Sequence, residues 1–459
     1  MTLAPNRLLP LNGNKICLAA LLLFSLILFS CGGPKPSLRN GRITSTDREN
    51  KRPVRPARGK VDTVKWTIVP ESQYKPIKSD FGPVVKKLSQ YNVALFLPFQ
   101  SNKFNPAQVK DNEAIRFIHF YGGMKLALEK LQSERAHIQL SVFDSEGSGS
   151  TLKNKLRDLD KSTHLIIGPH ERDQIMMVAE HGQKNSIPVI SPWLASSRIT
   201  SDNPFYIQLR PDLRDHYHRM VDDILKKYPR DQVILLKKYD KSDTNRIEYI
   251  QEYASSVIGF ENGKPFKEFQ VRSDSLLSSG AYMSGVFQED KETVFLLNNY
   301  SYEDEDYIYN VIRKLSGSKG LRKATLYGMP ILLETDRLDF NLYNIMNIKV
   351  VMSRFISNDD PDIKTFRKSF YETFGSLPTE EAYYGYDVML YFGRAMNKYG
   401  VYFQYFLDQD NRRMLHTKFD IQKVMTEPVR DHFKDINYFM NKHLDIIEIR
   451  NNRFHLSGY

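Results

Sequence analysis

The chain has 459 residues, 41% of them hydrophobic and 26% charged, which is more than one small core can use and suits a globular protein. Its net charge of +11 could suggest a nucleic-acid partner, but nine basic and only two acidic residues crowd into 31–60, and Arg7 and Lys15 lie before them. About +2 is left from residue 61 onward, which argues against a nucleic-acid face, and with Cys17 and Cys31 both outside that region it can hold neither a disulfide framework nor a zinc–thiolate cluster.

Lys15 precedes an apolar run from Ile16 to Phe29, and Ser30-Cys31-Gly32 follows. At about fourteen residues the run falls short of the roughly 18–20 that span a bilayer. A charged start, a short apolar stretch and small residues at its end read as an export signal over 1–30. The segment Leu28-Phe29-Ser30-Cys31 resembles a bacterial lipobox, in which the cysteine is lipidated and becomes the mature N-terminus. The resemblance implies a membrane anchor at Cys31 and a place in the bacterial cell envelope, on the periplasmic face of the outer membrane. A plain signal peptide with an incidental cysteine and an uncleaved anchor are the alternatives. Residues 31–60 combine Pro, Gly and charge with almost no large apolar side chains, so they read as a basic, disordered tether. Residues 61–84 are expected to be an ordered or partly ordered lead-in.

From Tyr91 the chain alternates between strand and helix patterns. Strands are expected at 91–99, 137–144, 163–169, 187–192 and 205–211, with helices at 111–132, over STLKNKLRDLD and at 171–184 between them. A second series follows, with strands at 232–239, 266–273, 292–300, 323–330 and 347–355 and helices at 212–228, 245–257 and around 303–314. Helices at 361–374 and 379–399 could return to the first series, and 444–456 alternates around Asn451-Asn452 like a hairpin. Continuous apolar runs, each followed by an amphipathic helix, imply α/β architecture with mostly parallel sheets flanked by helices.

Taken together and in order, VALFLPF, FYGGMKLALEKLQ, LIIGP, IPVISPWLASSRIT, FYIQLRPD and TEEAYYGYDVMLYFGRAM resemble the type I periplasmic-binding-protein family, and its branched-chain amino-acid receptors in particular. The chain is also similar to the lipoprotein activators of penicillin-binding proteins. The resemblance covers roughly 85–459. It implies two lobes joined by three crossovers, with 85–210 and about 356–410 in the first and 211–355 and about 411–459 in the second. A ligand is clamped between the lobes in that family. Gly168-Pro169 with His170 and Glu171, and Ser191-Pro192 with Trp193, Ala195 and Ser196, then resemble the two strand-to-helix turns on the first lobe's side of the cleft. Tyr300, Tyr302 and Glu334 match the second lobe's contribution. Ala195 stands where a threonine usually binds the ligand's ammonium, and Pro330 falls at or near the place of an expected acid. The departures argue against a free amino acid as ligand.

Other readings compete at single residues. Trp193 can stack on a ligand, plug the cleft or pack under a loop. His170, Glu171 and Arg172 can recognise an anion or cap the helix that begins there. Asp215, His216 and His218 lack the i, i+4 spacing of metal ligands on a helix, and the acids of 303–307 suit a helix start. The chain has no G-x-S-x-G elbow, Walker loop, G-x-G-x-x-G or H-E-x-x-H motif, so neither an enzyme nor a cofactor is expected. Two functions remain in competition: a lipid-anchored receptor for an unknown small molecule, and an interaction module with a vestigial cleft that regulates a cell-wall enzyme or other envelope protein. Either way, Cys31→Ser should release the protein from membranes, and an unmodified mature N-terminus downstream of Cys31 by mass spectrometry would exclude the anchor.

Overall fold

The computed structural model describes residues 87–101, 114–145, 149–196, 198–259, 263–272, 276, 283–427, 429, 435–450 and 452–457. The chain divides into Met1–Lys60 and Val61–Tyr459, and every described residue lies in the second unit. The expected signal peptide 1–30, the lipidated Cys31, the tether 31–60 and the lead-in 61–84 lie outside the described residues.

The first series of apolar runs forms β1 (Tyr91–Leu97), β2 (Ile138–Asp144), β3 (Thr163–Ile167), β4 (Val189–Ser191) and β5 (Tyr206–Gln208), joined through α1 (Ala114–Ser133), α2 (Gly149–Arg157) and α3 (Arg172–Asn185). After α4 (Leu213–Lys227) the pattern repeats with β6 (Val233–Lys238), α5 (Lys241–Ile258), β7 (Lys267–Val271), β8 (Thr293–Leu297), α6 (Glu305–Lys319), β9 (Ala324–Gly328), α7 (Ile331–Glu334), α8 (Phe340–Ile345) and β10 (Ile348–Met352). Helices α9 (Pro361–Phe374) and α10 (Glu380–Tyr399) follow. The chain closes with β11 (Arg412–Arg413), β12 (Lys418–Phe419), β13 (Ile421–Met425), β14 (Ile436–Asn441), β15 (Asp445–Arg450) and β16 (Arg453–Leu456). Two seven-stranded sheets result, ordered β13-β14-β5-β4-β3-β1-β2 and β16-β15-β10-β9-β8-β6-β7, with parallel pairing except at β13–β14, β10–β15 and β15–β16.

Side-chain alternation on β1 shows why the first sheet needs cover on both faces. Tyr91, Val93, Leu95 and Leu97 pack with α1 and α10, whereas Ala94 and Phe96 pack with α2 and α3. The second sheet is buried between α4, α5, α6 and α8 in one continuous core.

The expectation that everything after 411 joins the second lobe is corrected. Strands β13 and β14 complete the first sheet, with Phe439 opposite Ile207 on β5, and only β15 and β16 enter the second. The residues between Asn441 and Asp445 carry the chain across. A buried strand pattern such as INYFMN fits either sheet equally well, so periodicity does not say which sheet it joins.

Gly123 of α1 meets α10. A Cβ on it would lie 1.8 Å from the carbonyl oxygen of Ala382, and a Cβ on Gly385 would lie 2.0 Å from that of Phe120. The two helices therefore touch backbone to backbone, which brings α10, more than 250 residues along the chain, onto the first lobe. Alanine would gain about 1 kcal/mol of helix propensity at such sites. Here it overlaps backbone that has no rotamer to change, so Gly385→Ala should lower stability by about 1–3 kcal/mol net, measured by denaturant unfolding.

Candidate functional site

The chain passes between the lobes three times, after β5, after β10 and after β14. Each passage is fixed by specific polar contacts. After β5, Pro211 cannot donate a ladder hydrogen bond. Asp212 and Asp215 then form a reciprocal capping box that starts α4, with bonds of 2.9 and 3.0 Å. Arg210 is thus stranded on the crossover itself.

The second passage is zipped to the loop between β11 and β12. Phe355 N donates to His416 O (2.8 Å), Thr417 Oγ1 to Ser353 O (2.8 Å), and Arg354 bridges Thr417. That loop is in turn clasped by Asp387 of α10, whose carboxylate accepts the amides of Leu415, His416 and Thr417 at 3.0, 2.8 and 3.1 Å. Burial pushes the Asp387 carboxyl up to about 7, while the three amides favour its charged form. His416 is completely enclosed, and burial lowers its pKa, so the ring is neutral. Its Nε2–H donates to Glu380 (3.0 Å), leaving Nδ1 without a partner. Glu380 also pairs with Arg354 at 3.0 Å; burial opposes its charge, but His416 and Arg354 outweigh that and hold the carboxyl down to about 2. At the third passage Lys442 pairs with Asp215 (2.7 Å) and Arg413 grips both oxygens of Asp445 (2.7 and 2.8 Å).

Between the lobes, against these crossovers, lies a cavity of about 290 Å³. Ala195 lines it from the first lobe, and Tyr300, Pro330 and Glu334 from the second. Arg210, His216, Ser353 and Arg354 line it from the crossovers and the first turn of α4, and Met329, Ile331 and Met352 supply apolar wall. Glu334 accepts from the Tyr302 hydroxyl at 3.0 Å, and the Arg246 guanidinium lies 5.6 Å from the Tyr300 ring centre. His216 donates from Nδ1 to the Asp212 carbonyl at 2.8 Å, and burial lowers its pKa, so Nε2 is left as an acceptor. His218 points elsewhere, bonded to Tyr249 and stacked 3.7 Å from Tyr253, so His216 and His218 do not form a pair.

Of the residues expected at the cleft, Ala195, Tyr300 and Glu334 meet in the cavity, and Tyr302 supports Glu334 from an exposed position. Glu334, four residues beyond Pro330, brings a carboxylate to the cavity. Apart from Ala195, the residues of the first-lobe turns do not line the cavity. Gly168 takes a φ of +78°, and a Cβ there would lie 2.4 Å from Phe96 O. Pro169, Ser191 and Pro192 are buried. Trp193 is only 6% exposed, packed on Phe117, Phe120 and His170 at ring-centre separations of 5.3, 4.8 and 5.6 Å. Its Nε1–H donates to Glu381 at 3.0 Å, and the Tyr384 hydroxyl donates to Pro192 O at 2.6 Å. The indole thus fills the space beside the first turn as part of the first-lobe core and does not line the cavity. Glu171 occupies the N-cap of α3 without a side-chain cap bond and is exposed, and Ser196 holds Gln208 through its backbone amide (3.3 Å).

Arg210, His216, Ser353 and Arg354 were not singled out as ligand contacts. The available signal was their position: Arg210 closes the apolar run FYIQL and Arg354 closes VVMS. A charge ending a buried strand sits where ligands bind in open α/β sheets.

Residues 119–260 match the family model described as "Receptor family ligand binding region". No curated protein matches the sequence significantly. Among solved structures, a putative branched-chain amino acid ABC transporter protein from Rhodospirillum rubrum aligns with a TM-score of 0.56 at 13% identity, over 80% of this chain and 99% of that one. A branched-chain amino acid ABC transporter periplasmic ligand-binding protein from Burkholderia xenovorans LB400 aligns with 0.52 at 11%, over 80% and 95%. Full-length LpoA from Haemophilus influenzae gives 0.49 at 9%, over 81% of this chain and 60% of that one. The chain has a two-lobed type I periplasmic-binding fold. Because Trp193 is core in this version of the fold, Trp193→Ala should cost about 3–5 kcal/mol of stability, read from the shift in urea midpoint, whether or not a ligand is present.

Proposed function

Taking the type I periplasmic-binding fold as the premise, we propose that this protein is a lipid-anchored envelope receptor that clamps a small molecule between its lobes. The observation that carries this reading is the cavity lined from both lobes and from the crossovers, with guanidinium, imidazole, carboxylate and hydroxyl groups converging on it. Convergent polar groups in an otherwise apolar cleft are what a ligand site needs and a filled, vestigial cleft lacks. The mechanism is hinge closure: a ligand that touches Ala195 and Glu334 together favours the closed arrangement by the contacts it gains there. In this reading the protein acts by binding rather than by catalysis. Its anchor is Cys31 and its place the periplasmic face of the outer membrane.

A second reading has one observation in its favour. Trp193, His170 and Phe117 fill the first lobe's turn, as expected of an interaction module that regulates a cell-wall enzyme through its outer surface. The cavity at the crossovers favours the receptor.

Thermal-shift measurements on a panel of amino acids, short peptides, nucleosides and organic acids separate the two readings. At least one compound should raise the melting temperature of the native protein and have no effect on Ala195→Trp, whose indole occupies the cavity. A panel without effect on either protein would favour the interaction module. Leucine, isoleucine and valine should give no shift at micromolar concentration, because Ala195 offers no hydroxyl to their ammonium.

A further inference from the structure

Arg210 poses an electrostatic problem. Its Nε is buried without a hydrogen-bond partner, and among the described residues its guanidinium makes no ion pair. The carboxylates nearest in effect are engaged elsewhere: Glu380 by His416 and Arg354, Glu381 by Trp193 and Arg116. Burial lowers its pKa, and the other cation beside it, Arg354, acts in the same direction by repulsion. An arginine cannot shed its proton to escape such a site. Arg210 is only half-buried and lines the cavity, so its unpaired charge is partly desolvated there and an anion would compensate it.

We propose that Arg210, with Arg354 beside it, is the receptor for an oxyanion, a carboxylate or phosphate, carried by the molecule that enters the interlobe cavity. The proposal rests on the receptor reading and specifies the ligand's chemistry. Planar guanidinium groups match the paired oxygens of carboxylate and phosphate. Arg354 uses Glu380 to hold its orientation, and its remaining N–H groups are available to the cavity. The other side of the cavity has opposite demands. His216 Nε2 and the Glu334 carboxylate are acceptors, so the same ligand must bring a hydrogen-bond donor or a cation to them. Met329, Ile331 and Met352 leave an apolar stretch between. The ligand class is therefore a small organic acid or phosphate ester with a donor group at its far end, not a neutral sugar or a cation.

The site also explains how binding would reach the hinge. Arg210 and Arg354 lie on two of the three crossovers. An anion between them removes their mutual repulsion and ties two hinge strands together.

The test uses the full-length mature protein at constant ionic strength, with sodium chloride replaced stepwise by sodium phosphate, acetate or citrate. The native protein should show a saturable rise in melting temperature with phosphate or with a carboxylate, and which of the two acts identifies the group. Arg210→Met should lose the response, weakening apparent anion affinity at least tenfold, while melting at the same or a higher temperature than the native protein without anion. An equal response in Arg210→Met would overturn the proposal, as would an anion-insensitive native protein. A markedly less stable Arg210→Met would also overturn it, assigning the arginine a structural role. Should the native protein respond to a neutral compound in a way that Ala195→Trp abolishes and Arg210→Met does not, the receptor reading survives and the oxyanion proposal fails.

Discussion

The cavity depends on the carboxylate of Asp387. By accepting three consecutive amides it fixes the 415–417 loop, and that loop in turn carries the second crossover. From there the order runs through His416 and Glu380 to Arg354, which faces the cavity. The links at Asp387 and His416 are enclosed, where bonds are strong and broken ones expensive, and Glu380 extends the chain to Arg354 from a more exposed position. Asp387 can act in this way only because α10 lies against α1 at backbone contact through Gly123 and Gly385. The cavity wall is therefore set by a helix pair that never touches it.

The lobes were legible because strands and helices declare themselves by period. The runs ending at Leu97, Ile167, Leu297 and Gly328 are buried on both faces, and nothing but a covered parallel sheet fits such runs. Strands β13 and β14 were assigned to the wrong lobe because no local signal states which sheet a buried strand completes. The hairpin at the chain's end was readable, since Arg450 and Arg453 pair across a two-residue turn.

The site was legible in part, for a different reason. Ala195, Tyr300 and Glu334 follow strand ends in the order the fold requires, and they meet in the cavity. Trp193 occupies an equivalent strand-end position, yet its indole turns inward onto Phe120 and Glu381. A strand end fixes where Cα lies; whether the side chain enters the cleft or the core depends on partners such as Glu381, almost two hundred residues away. Arg210 and Arg354 escaped notice because an arginine at a strand end usually pairs with a nearby acid. Only three-dimensional packing reveals that Glu380 and Glu381 are already engaged.

The passage of the chain from β14 to β15 bears on synthesis. Strand β14 lies inside the first sheet, between β13 and β5, and β15 inside the second, between β16 and β10. Until residues 436–456 have emerged from the ribosome, β5 and β10 each present a bare edge, so both halves stay incomplete until the last part of the chain is made. Unlike a string of independent domains, which mature from the N-terminus as they are made, this pair matures together and late.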